Sequence, residues 1–195
     1  MSESSEKRHL FVFTGPDGSG RKTIADMTGT TLELKKVISF TTRLRRQGEQ
    51  EGQDYHFVAE DVFKKDDRNG AFVETAYMDG HYYGIKRTDI ERLLSEHRFA
   101  YVIVNPESAK WLKSAYGDTV VRLFLYADRQ SLRKRQLERG DGEAVVERRL
   151  SHYDEAMAYM HDCEYAFENV DLSHTVFSIT NILERYLNRQ LLNLD

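Results

Sequence analysis

Two arginines, Arg43 and Arg46, stand three residues apart in the stretch 39–57, SFTTRLRRQGEQEGQDYHF. They follow Ser39 and two hydroxyl residues, Thr41 and Thr42, and precede a turn-rich segment, Gly48-Glu49 and Gly52, that closes on Asp54-Tyr55. A planar guanidinium meets a phosphate or carboxylate through two parallel hydrogen bonds, so paired arginines beside hydroxyls form a candidate clamp for a phosphate monoester. A solvated basic loop is the competing reading.

A second anion site is suggested by GPDGSGRKT, residues 15–23. Gly15, Gly18 and Gly20 let the backbone curl so that successive N–H groups point at one anion, and the helix that follows adds its positive end. The phosphate-loop pattern asks for Gly, four residues, Gly, Lys, then Ser or Thr. Counting from Gly15 puts Gly20 in place, but Arg21 takes the lysine position and Lys22 the hydroxyl position, with Thr23 one residue later. Arg21 is a bulkier fork than lysine, and Lys22 cannot ligate a cation. A one-residue slip that makes Lys22-Thr23 the working pair stays open, as does a turn that keeps only the shape of such a loop.

These residues need a scaffold. HLFVFT, residues 9–14, reads as a strand buried on both faces and ends at the glycine-rich turn. Residues 71–78 and 81–85 flank Asp79-Gly80 and read as a hairpin. A helix is predicted over 88–97, capped by Thr88 with Glu91 three residues on, followed by a strand over 99–104 that enters Asn105-Pro106-Glu107. Residues 109–116 read as a helix and 120–126 as a core strand. Residues 131–150 are arginine-rich, with Gly140-Asp141-Gly142 as a turn, and compete with the reading of a salt-bridged helix pair. One helix from 144 to about 163 continues through Leu150, Tyr153, Met157 and Met160. Residues 164–169 read as the last strand. An amphipathic helix bearing Ile179, Ile182, Leu183, Tyr186 and Leu187 follows, with Leu191, Leu192 and Leu194 extending its apolar side to dock on the sheet or on another subunit. Strands alternating with helices indicate an α/β layered fold around a parallel sheet.

The bulk numbers narrow the function classes. A chain of 195 residues, 40% hydrophobic, holds one full core. A net charge of −4 and a pI near 6.0 give no basic field to recruit nucleic acid or an anionic membrane. One cysteine, Cys163, forms no internal disulfide, and the apolar run before Gly15 is too short for a signal-peptide core or a membrane span, so a cytoplasmic protein is expected.

Taken together, Ser39-x-Thr-Thr-Arg43-x-x-Arg46-x-Gly48-Glu49-x-x-Gly52-x-Asp54-Tyr55-x-Phe57 closely resembles the GMP-binding signature of guanylate kinases, with Arg45 where the family has proline. The resemblance runs from about residue 10 to 187. It implies a P-loop NTPase-type three-layer α/β fold with a central parallel sheet, a small mixed β GMP-binding subdomain (about 39–85) and a helical lid (about 133–156). The core would take about 9–38, 86–132 and 157–195 of a single domain, 1–195.

The resemblance further implies site roles. Ser39, Arg43, Arg46 and Tyr55 would hold the GMP phosphate, and Glu74, Tyr83 and Asn105 would complete the GMP pocket. Gly15, Gly18, Gly20, Arg21, Lys22, Thr23 and Asn169 would bind ATP, with Arg21, Lys22, Arg135, Arg139 and Arg149 acting on the transferring group. Ile85 departs from the family's Ser or Thr. Ile103 and Asn105 stand where the family carries two acids that organise Mg²⁺, so no protein metal ligand is expected although ATP and Mg²⁺ are. The expected partners are GMP and ATP, with no nucleic acid and no membrane, for a monomer or homodimer. The short segment before the first strand favours a free-standing enzyme. The alternative implied by the same family is an inactive guanylate kinase-like module that binds GMP or an acidic or phosphorylated peptide.

Overall fold

The apolar run after His9 alternates between two cores. In the computed structural model, which describes residues 7–187, it forms strand β1 (His9–Thr14), and Leu10, Phe11, Val12 and Phe13 are wholly buried. Successive side chains of a strand point to opposite faces. Leu10 and Val12 enter one apolar cluster with Ile90, Leu94, Ala109 and Leu112. Phe11 and Phe13 enter another with Ile24, Val176, Ile179 and Leu183. Burial of each is worth about 1.5–3 kcal/mol, which holds β1 at the centre of a sheet covered on both sides.

That sheet is parallel throughout, in the order β2 (Lys35–Lys36), β7 (Phe99–Ile103), β1, β8 (Val120–Tyr126), β9 (Tyr165–Glu168). Helices α3 (Arg87–His97) and α4 (Pro106–Tyr116) supply the first cluster, and α1 (Arg21–Thr31) and α8 (Leu172–Leu187) the second. The result is a three-layer α/β fold of P-loop type, with the glycine-rich turn leaving the C-terminal end of β1.

A second, mixed sheet has the order β4 (His56–Phe57), β3 (Phe40–Thr41), β6 (His81–Lys86), β5 (Phe72–Met78). β3 pairs parallel with β4 and antiparallel with β6, which in turn pairs antiparallel with β5. The β5–β6 turn puts Asp79 at φ 52° and Gly80 at φ 83°, the left-handed pair that Asp-Gly accommodates. Helix α2 (Glu60–Arg68) packs through Phe63, whose ring lies 4.4 Å from that of Phe72. The β5–β6 register shifts between Phe72 and Glu74, and such irregularities re-aim side chains; Glu74 is buried at the junction with α4.

Beyond β8 come α5 (Arg129–Glu138) and α6 (Glu143–Ser151), which share a small core of Ala127, Leu132, Val146 and Leu150. The single helix predicted from 144 to about 163 is broken. α6 stops at Ser151, α7 (Tyr153–Ala158) follows, and a 3₁₀ turn covers Tyr159–Asp162. Arg129 takes the Leu150 carbonyl (2.7 Å) and the Tyr153 hydroxyl donates to Ala127 (3.2 Å), which fixes the bend.

Two boundaries also differ from expectation. Thr88 is not a cap: β6 runs to Lys86 and α3 begins at once, so Thr88 lies inside the first turn. α4 starts three residues before Ala109, because the Asn105 side chain caps it and Pro106 suits the first helical position. Leu191, Leu192 and Leu194 lie outside the described residues. Among the described residues no helix is long and apolar enough to cross a membrane.

Candidate functional site

The residues from 39 to 57 fold around Arg43. Its Nη1 and Nη2 donate to Glu49 Oε2 (2.7 Å) and Oε1 (2.6 Å), and its guanidinium lies over the rings of Tyr55 (4.9 Å) and Phe57 (5.6 Å). Burial alone would lower the Arg43 pKa, but the bonds and charge of Glu49 carry it upward. The same hydrogen bonds hold the Glu49 carboxyl below the usual carboxylate range. Glu49 Oε2 also accepts from the backbone N–H of Arg46 (2.9 Å). The Arg46 side chain is exposed and makes no hydrogen bond or ion pair among the described residues.

The neighbouring hydroxyls do a different job from the one their position suggests. Thr41 Oγ1 accepts from the Arg43 N–H (3.3 Å) and Thr42 Oγ1 from the Tyr82 N–H (3.0 Å), so both shape the loop instead of facing a ligand. Tyr55 and Tyr83 meet edge to face at 6.0 Å.

Ser39, Arg43, Arg46, Tyr55, Glu74, Tyr83 and Asn105 all line one cavity of about 1190 Å³, together with Gly15, Arg21, Arg139 and Arg149. Glu74 is 7% exposed, and burial pushes its carboxyl up to about 7. Its Oε1 accepts from the Ser108 hydroxyl at 2.6 Å. Asn105, expected to read a base, spends its side-chain oxygen on the Ser108 N–H (2.7 Å) and turns its amide to Met78 Sδ (3.1 Å).

The glycine-rich turn has the backbone of an anion cradle. Gly15, Gly18 and Gly20 have φ of 135°, 84° and 89°. A Cβ on Gly15 would fall 2.0 Å from the Leu125 carbonyl oxygen, so only glycine fits there. α1 begins after Gly20 with no side-chain cap, which leaves its first N–H groups for a ligand. An acid shares this loop: Asp17 Oδ1 pairs with Arg21 Nη2 (2.6 Å), and its Oδ2 lies 3.8 Å from Arg149 Nε. Arg21 Nη1 also donates to the Val104 carbonyl (2.8 Å), which aims this side chain along the end of β7.

The remaining predicted donor-site residues lie outside the cavity wall. Lys22 pairs with Asp54 (2.9 Å) and Asp26 (3.1 Å), and Thr23 is exposed on α1. Asn169 is buried behind the loop and donates to the Ser19 carbonyl (2.9 Å), while its own carbonyl accepts from Arg135 Nη2 (2.7 Å). Neither Gly18 nor Gly20 lines the cavity.

These donors do not fit a protein-held Mg²⁺. Lys22 replaces a hydroxyl, Ile103 is apolar, the Asn105 oxygen is committed, and among the described residues no group of three His, Cys, Asp or Glu is placed to hold a metal ion.

The arginine-rich helices close over the cavity. Arg139 and Arg149 converge on Asp141, Arg149 Nη1 at 2.9 Å, and Arg148 reaches Asp79 of the β5–β6 turn at 2.8 Å. The Gln136 amide donates to the Asp17 carbonyl (3.2 Å), so α5 braces the glycine turn as well. Sequence reasoning missed Glu49, Ser108, Asp17 and Asp79 as partners. The acids at 17, 49 and 79 were visible beside glycines; nothing local pointed from Ser108 to Glu74.

Comparisons with known proteins give the family. The family model described as guanylate kinase matches residues 7–186. A guanylate kinase of Fusobacterium nucleatum is 27% identical over 176 residues, covering 90% of this chain and 95% of that protein. One from Lactococcus lactis is 31% identical over 181 residues, covering 92% and 88%. The crystal structure of guanylate kinase from Anaplasma phagocytophilum shares the fold with a TM-score of 0.76 at 24% identity, covering 96% of this chain and 89% of that one. With one family model spanning nearly all the described residues, and full-length relatives on both sides of 30% identity, this chain belongs to the guanylate kinase family.

Proposed function

We propose that this protein transfers the γ-phosphoryl group of ATP to GMP, giving ADP and GDP. The observation that supports it is the convergence of Arg43, Arg46, Tyr55, Tyr83 and Glu74 with Arg21, Arg139 and Arg149 on a single cavity. In this reading Arg46 and Arg43, with Ser39 and the two tyrosines, hold the GMP phosphate, and Glu74 accepts from the guanine N–H donors. The loop N–H groups and Arg21 receive the donor phosphates. An oxygen of the GMP phosphate bonds to the γ-phosphorus as the bond from γ-phosphorus to the bridging oxygen breaks, and that electron pair leaves on ADP. Arg139 and Arg149 face the charge on the equatorial oxygens, so catalysis is positioning plus electrostatics without a covalent enzyme intermediate. ATP brings its Mg²⁺ on phosphate oxygens and water; the proposal assigns no side chain to the ion. A cytoplasmic location is part of this reading.

The second reading is a GMP-binding protein without turnover. It is favoured by Asp17, whose carboxylate already sits on Arg21 where donor phosphates would bind. Calorimetry with GMP and with ATP·Mg²⁺ separately, beside a coupled ADP-release assay, decides between them. The kinase reading expects both nucleotides to bind and ADP release to require GMP. GMP binding with neither ATP binding nor turnover leaves the second reading, and absence of GMP binding removes both. The same assay with dGMP, IMP and AMP tests the acceptor.

A further inference from the structure

Among the described residues lining the cavity, Glu74 is the buried carboxylate, and its one side-chain hydrogen bond comes from Ser108. Ser108 is 4% exposed and held in place from its own backbone, because its N–H is bound by the capping oxygen of Asn105. On the other side, the cross-strand neighbour of Glu74 is Ile85, 1% exposed and without a polar side-chain atom. A single hydroxyl therefore sets which lone pairs of Glu74 remain for a ligand.

Building on the GMP reading, we propose that Ser108 is a positioning residue that sets base selectivity through Glu74. By donating to Oε1 it presents the carboxylate to the cavity as a pair of acceptors. Two acceptors match the adjacent N1–H and 2-amino donors of guanine. They do not match adenine, which offers an acceptor at N1 beside its 6-amino donor.

The electrostatics work in the same direction. Burial pushes the Glu74 carboxyl up to about 7, the Ser108 hydrogen bond opposes that, and Glu107 on α4 adds to it. Lys110 on α4, Tyr83 on β6 and Arg43 and Arg46 line the same cavity, and Lys86 on β6 is paired with Asp66 on α2 (2.6 Å). A protonated Glu74 becomes a donor–acceptor pair, the complement of adenine's edge. Guanine recognition thus needs the ionised form, and it strengthens as pH rises through the Glu74 pKa. Without the Ser108 hydroxyl that pKa moves higher, and guanine recognition is lost over a wider range.

The test is calorimetry of GMP and AMP with the parent, Ser108→Ala and Ser108→Thr proteins, taking the variant-to-parent ratio at each pH so that the nucleotide's own titration cancels. One charge-assisted hydrogen bond is worth about a factor of ten. Ser108→Ala is expected to weaken GMP about tenfold near pH 6, with the gap shrinking below about twofold near pH 8.5, while AMP is not weakened. Ser108→Thr keeps the hydroxyl and the parent's profile. A GMP loss that is equal at every pH, or no loss at all, overturns the positioning role. A parent protein that binds no GMP overturns the functional reading beneath it, a separate outcome visible before any variant is made.

Discussion

Asp17→Asn isolates the charge inside the glycine turn. The Asp17 carboxylate sits on Arg21 at 2.6 Å and within 3.8 Å of Arg149, the two cations that the proposed function assigns to the donor phosphates. Its side chain is 50% exposed, so its repulsion of a phosphate is screened by water. At a separation of about 5 Å and an effective dielectric of about 40–80, one pair of like charges costs about 0.8–1.7 kcal/mol. Asparagine keeps the size of the side chain and an acceptor for Arg21 but removes that repulsion. ATP affinity should rise about fourfold to seventeenfold at low salt, the gain shrinking as ionic strength approaches about 1 M. Calorimetry with ATP and with GMP at two salt concentrations reads both effects. ATP affinity that stays flat, or GMP affinity that rises as much as ATP affinity, would refute the assignment of this loop to the donor phosphates.

Three further outcomes follow from named contacts. Arg43→Ala should lower GMP affinity at least tenfold, about 1.4 kcal/mol, by removing a charge-assisted fork, and an unchanged dissociation constant contradicts its role. Glu74 has its pKa raised to about 7 by burial, so its ionised form costs stability that protonation spares. That stability is present below the unfolded value near pH 4.5 and lost as pH rises through about 7. Glu74→Gln should therefore unfold about 1–3 kcal/mol harder than the parent at pH 8, with the gap closing below about pH 4.5, while GMP binding weakens. Urea unfolding in which the variant is the weaker protein at pH 8 contradicts this. Glu164 behaves oppositely: burial would raise its pKa, but Arg122 and Lys113 hold it down at about 2. Its contribution is present above about pH 4.5 and lost as pH falls toward 2, so Glu164→Gln should cost about 2–3 kcal/mol at neutral pH and progressively less in acid. A pH-independent difference would exclude that ion pair as the cause.

What could be read from the chain alone depended on how local the cause was. The LFVF run implied two-sided burial, and it has it. Asp79-Gly80 implied a tight hairpin because two adjacent positive φ values suit few other pairs, and the turn has them. The arginine pair and the loop glycines could be found as a candidate phosphate site because such sites repeat residue types at short spacing. The helix break at His152 was hidden, since apolar residues continue at helical spacing through Met160 while the bend depends on Arg129 and Ala127, more than twenty residues away. Asn105 misled for another reason. An amide at a strand end can read a base or cap the next helix, and Pro106 at the first helical position pulls it to the cap.

The same limit applies to the charges. Arginine spacing suggested cations waiting for anions, yet each of four is already answered: Arg21 by Asp17, Lys22 by Asp54, Arg43 by Glu49 and Arg149 by Asp141. In the proposed reading an entering phosphate takes Arg21, Arg43 and Arg149 from their carboxylates, so part of each cation's attraction is offset by the pair it gives up. Arg46, which makes no ion pair among the described residues, would meet a phosphate without that offset. The pair of Arg148 with Asp79 also ties the arginine-rich helices to the β5–β6 turn. Under the proposed function, substrate binding would be a change of partners within this network of ion pairs. In that reading the acids at 17, 49, 79 and 141 compete with the nucleotide for the arginines they hold.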